Sequence, residues 1–108
     1  MNFSLSYVSR EDIFKARGVS LSTHLRDEKL GGWPLPISTG RSVRFLAHEV
    51  QACMAAEANG SSIEQRQALV DGLVGIRRYI GTATEEEMRK LITDLVVKHT
   101  SREAEAQS

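Results

Sequence analysis

Gly18-Val19-Ser20-Leu21-Ser22-Thr23 decides how this chain is read, because a glycine that can end one helix stands just ahead of a serine that can cap the next. Upstream, Ser9 offers a cap for a first helix, and Asp12, three residues on, places a carboxylate at its positive end. That helix carries Ile13 and Phe14 inward and runs to about Arg17. Gly18 takes the left-handed turn and Ser20 starts the second helix. Two short helices around such a turn form the arrangement that sets the second helix into a major groove. Its early positions Ser22, Thr23, His24 and Arg26 bear groups able to bond base edges or phosphates.

Working outward, Gly31-Gly32-Trp33-Pro34-Leu35-Pro36 cannot continue a helix. It leads into two extended runs, Leu35 to Ser38 and Ser42 to Phe45, which pair as a hairpin around Thr39-Gly40. Gly40 supplies the positive φ of the loop, and Arg41 and Arg44 lie on or beside the tip, where a wing meets the sugar-phosphate backbone. Only two strands are expected. A third helix follows from about Leu46 to Ala56, with Leu46, Val50, Cys53 and Met54 at core spacing.

These pieces, in this order, resemble the AlpA-type regulators of phages and genomic islands, relatives of the excisionase and MerR-like winged-helix proteins. The resemblance covers roughly the first half of the chain and rests on Gly18-Val19-Ser20-Leu21-Ser22-Thr23, Trp33-Pro34, Gly40-Arg41-Ser42-Val43-Arg44-Phe45 and Glu49-Val50-Gln51-Ala52. It implies a winged helix-turn-helix on double-stranded DNA, with Ser20, Ser22, Thr23, His24, Arg26, Lys29, Arg41, Ser42 and Arg44 as the candidate contacts. The chain departs from the family pattern where His24 and Leu25 follow Ser-Thr, where Asp27 and Glu28 replace apolar residues, and where Cys53 replaces an aromatic. The departures suggest a second helix rotated to bury Leu21 and Leu25.

Charge balance works against a DNA-binding reading, since 14 Lys+Arg face 14 Asp+Glu. Up to Glu57 there are seven basic residues and six acidic ones, so a basic surface has to come from clustering of Arg26, Lys29, Arg41 and Arg44. A monomer with so few phosphate contacts binds weakly, which calls for a homodimer or cooperative neighbours on DNA. The 108 residues, 41% of them hydrophobic, suffice for one compact domain with accessory helices. No apolar run reaches membrane-spanning length, Met1 to Tyr7 lacks the pattern of an export signal, and a single Cys53 fits a reducing compartment, so a cytoplasmic location is expected.

The expected organisation is a DNA-binding unit over 1–58 and a helical extension over 59–108, divided by the helix stop Ala58-Asn59-Gly60. Ser61-x-x-Glu64 reads as a capping box opening a helix over about 62–80, with Ile63, Val70, Leu73, Val74 and Ile80 on one side and Gly81 closing it. Gly72 and Gly75 inside that helix suggest close approach of another backbone. Thr84-x-x-Glu87 opens a second helix over about 85–99, carrying the stripe Met88, Leu91, Ile92, Leu95 and Val96. The tail 100–108 is expected to fray. Such a hairpin needs a partner surface, either the first half of the same chain or the hairpin of a second subunit. In the second case Ile63, Val70, Leu73, Val74, Met88, Leu91, Ile92 and Leu95 make the dimer.

Several residues also have plain readings. His24 suits a solvated helix position, Trp33 a core plug beneath the wing, Cys53 a small core hydrophobe, and Glu85-Glu86-Glu87 the acidic first turn of a helix. No phosphate loop, nucleophile with its base, or metal spacing stands out, so no enzyme and no cofactor are expected. The sequence thus predicts a mainly α protein, a winged helix-turn-helix with a two-stranded wing and a C-terminal two-helix extension. Its expected role is a sequence-specific transcription regulator of a mobile element. An excisionase that bends DNA, and a protein-interaction module working through the hairpin, are the alternatives.

Overall fold

The computed structural model describes residues 3–39 and 42–100. The order of elements is β1 (Tyr7–Val8), α1 (Arg10–Arg17), α2 (Leu21–Lys29), β2 (Ile37–Thr39), β3 (Ser42–Leu46), α3 (Ala47–Ala58), α4 (Ile63–Ile76), a 3-10 turn Arg77–Tyr79, and α5 (Glu85–Lys98). The chain is therefore mainly helical with a small antiparallel sheet.

Local chemistry accounts for most helix ends. Ser9 accepts from the Asp12 N–H while Asp12 accepts from the Ser9 N–H, a reciprocal cap that starts α1. Gly18, at φ 71°, ends it, in a conformation any residue with a Cβ adopts at a cost. Ser20 accepts from the Thr23 N–H and starts α2, so three residues separate the helices. Thr84 and Glu87 form the same reciprocal cap on α5. On α4 the box is Ser62 with Gln65, one residue later than Ser61 and Glu64. Glutamine caps as well as glutamate, and the spacing alone leaves the two registers equivalent.

The sheet has three strands in the order β1-β3-β2, one more than expected. Tyr7 pairs with Leu46 and Val8 with Phe45, while Ile37 pairs with Arg44 and Thr39 with Ser42. The two-residue β1 is too short for an alternating pattern to be seen in sequence. It is held because β3 has a free edge, and the Ala47 N–H extends the pairing to the Ser6 carbonyl at 2.9 Å. The hairpin strands begin two residues later than expected at β2, after the Pro36 stop. The expectation for Gly40, and that for the tip residue Arg41, lie outside the described residues, as does most of the tail 100–108.

One core spans both halves. Ile13, Trp33 and Phe45 join Val50, Ala52, Cys53 and Ala56 of α3 and Leu69, Val70 and Leu73 of α4 in a single buried cluster. The boundary at 58/59 is therefore a turn within one hydrophobic unit. The hairpin finds its partner in α3 of its own chain: Val70, Leu73 and Met88 are at most 5% exposed, and this intrachain burial removes them from any surface a second subunit could touch. Gly72 lets α5 close on α4, since a Cβ there would lie 2.6 Å from Leu95 Cδ2. Gly75 faces open space and supports no close approach. The α-helical part of α4 stops at Ile76, short of the expected residue 80, where the chain tightens into the 3-10 turn. That turn delivers Arg77 to Glu49. The Glu49 carboxylate is fully buried and takes two Arg77 N–H bonds at 2.6 Å, and Arg77 also donates to the Leu35 carbonyl at 3.1 Å. The Glu49-Val50-Gln51-Ala52 segment thus carries a clamp between the halves.

Candidate nucleic-acid interface

The helix corner α1–α2 is organised by buried charge. Arg17, whose side chain is 3% exposed, donates to Asp27 at 2.7 Å, to both Glu57 oxygens at 2.6 and 3.1 Å, and to His24 Nδ1 at 2.8 Å. Its guanidinium lies 4.2 Å from the centre of the Trp33 ring, and the His24 ring meets the same indole edge-on at 5.3 Å. Arg10 closes the arrangement with two bonds to Glu28, at 2.8 and 3.1 Å, and rests over Phe45.

His24 is fully buried, which corrects both of its sequence readings, base contact and solvated residue. In the second helix, Asp27 and Glu28 flank the inward position, and α1 supplies arginines to meet them. The polar residues therefore face the interior. Arginine only donates, so His24 Nδ1 accepts and its proton sits on Nε2, 3.2 Å from Glu28 Oε2 without an aligned hydrogen bond. Burial pushes His24 below the ordinary imidazole range, Glu28 pulls the other way, and Arg17 and Arg10 add to the lowering. Burial also works against the Arg17 charge, but bonds to Glu57 and Asp27 outweigh it and leave its pKa raised.

This inward turn of the acids leaves the outer face of α2 without a carboxylate. Leu21, Ser22, Leu25, Arg26 and Lys29 are all exposed, and Leu21 and Leu25, expected inside, are 45% and 38% accessible. The physical reason is that the ionic set with His24 occupies the side on which the leucines were expected. Among the described residues, Arg26, Lys29 and Arg44 have no acidic partner, whereas Arg10, Arg17 and Arg77 are each tied to buried or half-buried carboxylates. The neutral overall charge thus conceals a local excess of cations.

The remaining candidates separate by position. Ser20 Oγ is taken up by the cap and by Thr23 Oγ1 at 3.0 Å, with Ser22 Oγ 3.2 Å away, and Thr23 is half-buried at the edge of the outer face. Ser42 and Arg44 are exposed on β3. Arg41 is outside the described residues. No sequence signal marked Arg17 or Arg10 as organisers of α2, because their partners lie 7 to 40 positions away.

Elsewhere, Cys53 is fully buried and burial raises its thiol pKa to about 12, so it acts as a packing group. Among the described residues there is no cluster of metal-ligating side chains, and no helix is long and apolar enough to cross a membrane. A groove of about 540 Å³ between the N-terminal segment, α3 and α5 draws no lining residue from α2 or the β2–β3 hairpin. The surface offered at the corner is an exposed helix face. Compared with protein families, curated proteins and solved structures, the chain finds no match.

Proposed function

We propose that this chain is a sequence-specific DNA-binding regulator of the AlpA-like kind, serving a mobile genetic element, with α2 as the helix that enters the major groove and the β2–β3 hairpin as a wing. The observation that carries the reading is the carboxylate-free outer face of α2. Ser22, Arg26 and Lys29 point outward while Asp27 and Glu28 are held by Arg17 and Arg10. Such a face meets phosphate oxygens without repulsion and offers donors to base edges. Arg44, exposed on the hairpin, adds a cation suited to backbone contact. The short reach of one α2 favours several copies acting together on DNA, either as a regulator or as an excisionase that bends its site.

Footprinting on DNA flanking the gene tests this. Discrete protected sites that persist at moderate salt are expected, and their spacing reports how many copies bind. Arg44→Ala should weaken specific and random duplexes alike and reduce the salt slope by about 1, while Arg26→Ala should lower discrimination by roughly 1–3 kcal/mol if it bonds a base edge. Absence of any protected site would leave the corner as a scaffold and turn attention to the helical hairpin as a protein-binding element.

A further inference from the structure

The outer face of α2 contains a feature that phosphate binding does not require: two leucines along one side of it. Leu21 and Leu25 are one turn apart, 45% and 38% accessible, on a helix whose inner side is polar. At 3.6 residues per turn, Leu21, Leu25, Lys29, Ser22 and Arg26 cover an arc of about 140°, with the leucines at one side and the cations beside them. Exposing two adjacent leucines while burying a histidine is the reverse of the usual partition, and it leaves an apolar pair open to a partner. The charges around it indicate which kind. The arc has no carboxylate, and Arg26 and Lys29 have no acidic partner among the described residues. That complements a polyanion.

Building on the DNA-binding reading above, we infer that Leu21 and Leu25 read the 5-methyl groups of thymines in the major groove. A thymine methyl is the one apolar group a base pair presents there. The leucines are separated by about 6 Å along the helix axis, against about 3.4 Å per base step, so they reach thymines about two steps apart. Lys29 holds the helix in register from a flanking phosphate, and Arg26 adds a polar contact that does not depend on the leucines. The preferred site then contains thymines at two positions whose identity rests on a methyl contact rather than on hydrogen bonds.

The test begins with selection of a binding duplex from a random library by the full chain, followed by the same duplex with each dT replaced singly by dU. Deoxyuridine keeps every hydrogen-bonding group and lacks only the methyl. Wild-type affinity should fall about fourfold at each of two thymines, the magnitude of removing one buried CH₂-sized group. Leu21→Ala should abolish the dT/dU difference at one of them and Leu25→Ala at the other, with helix content unchanged by circular dichroism. Arg26→Ala should weaken both duplexes and keep the difference. If no sequence is enriched, the DNA-binding reading itself fails. If a site is selected but wild-type protein does not distinguish dT from dU, the methyl inference fails alone, whatever the variants do. Light scattering of the free protein adds one more overturning result: a dimer that Leu25→Ala converts to monomer would assign the face to a second copy of this chain.

Discussion

The corner α1–α2 and the hairpin α4–α5 solve the same problem with different physics. The corner sets Trp33 against a histidine and an arginine, both almost fully buried, whose polar atoms lie in turn against Asp27, Glu28 and Glu57. The hairpin packs Leu69, Val70 and Leu73 into one buried cluster with the small residues Ala52, Cys53 and Ala56. Burial of apolar area holds helices together without fixing direction, whereas a set of hydrogen-bonded ions admits one arrangement. The difference teaches that precision is concentrated in the half that orients α2, and bulk cohesion in the half packed behind it.

The largest expected effect comes from cutting the ionic set. Arg17→Met leaves Asp27, Glu57 and the His24 acceptor facing each other without their common donor, and should lower unfolding free energy by about 3–5 kcal/mol in denaturant titration. A loss below about 1 kcal/mol would mean that the corner, too, is held mainly by apolar packing. Leu73→Ala should destabilise by about 2–5 kcal/mol through a cavity, and by the same amount at pH 5.5 and 7.5 and across salt concentrations. A strongly salt-dependent loss there would erase the contrast between the halves.

Acid separates the two regions by a smaller margin. His24 has a folded-state pKa below its unfolded value of about 6.5, so protons favour the unfolded chain, and stability present above that pH is lost as pH falls through the folded value. His48 and His99 are lowered as well, chiefly by burial, and contribute in the same direction. Thermal melts between about pH 7 and pH 5 should show a falling midpoint. His24→Asn keeps an acceptor near Arg17 but cannot titrate, so its melts should depend less on pH. An unchanged slope would move the acid sensitivity to the other histidines.

The smallest effect lies within α4. Gly75→Ala fills open space on a helix and should stabilise by about 0.5–1 kcal/mol, while Gly72→Ala must displace Leu95 and should give less or the opposite sign. Differential scanning calorimetry of the pair would reveal whether α4 and α5 are in as close contact as described.

What was legible in the sequence was local. The caps at Ser9, Ser20 and Thr84 and the stops at Gly18 and Asn59-Gly60 each depend on residues within four positions, and the structure has them where they were expected. The one-residue slip at Ser62 arises because two adjacent serines and a Glu-Gln pair allow either frame. The orientation of α2 was not legible, since a nine-residue helix with apolar residues only at Leu21 and Leu25 has a periodicity that those leucines alone decide. What overrides them is Arg10, Arg17 and Glu57, contributed by α1 and α3. The buried Glu49 was likewise hidden, because its partner Arg77 is 28 residues downstream.

Trp33 is the only tryptophan in the chain, and it is enclosed by the corner at 1% exposure with its indole N–H unpartnered among the described residues. Its fluorescence is therefore an optical label placed by nature on one half of the molecule. Emission from an indole stacked against Arg17 and touched by His24 reports whether α2 is seated, while the far-ultraviolet signal sums over every helix. Recorded on the same sample, the two signals tell whether the corner can open while the rest of the protein stays folded.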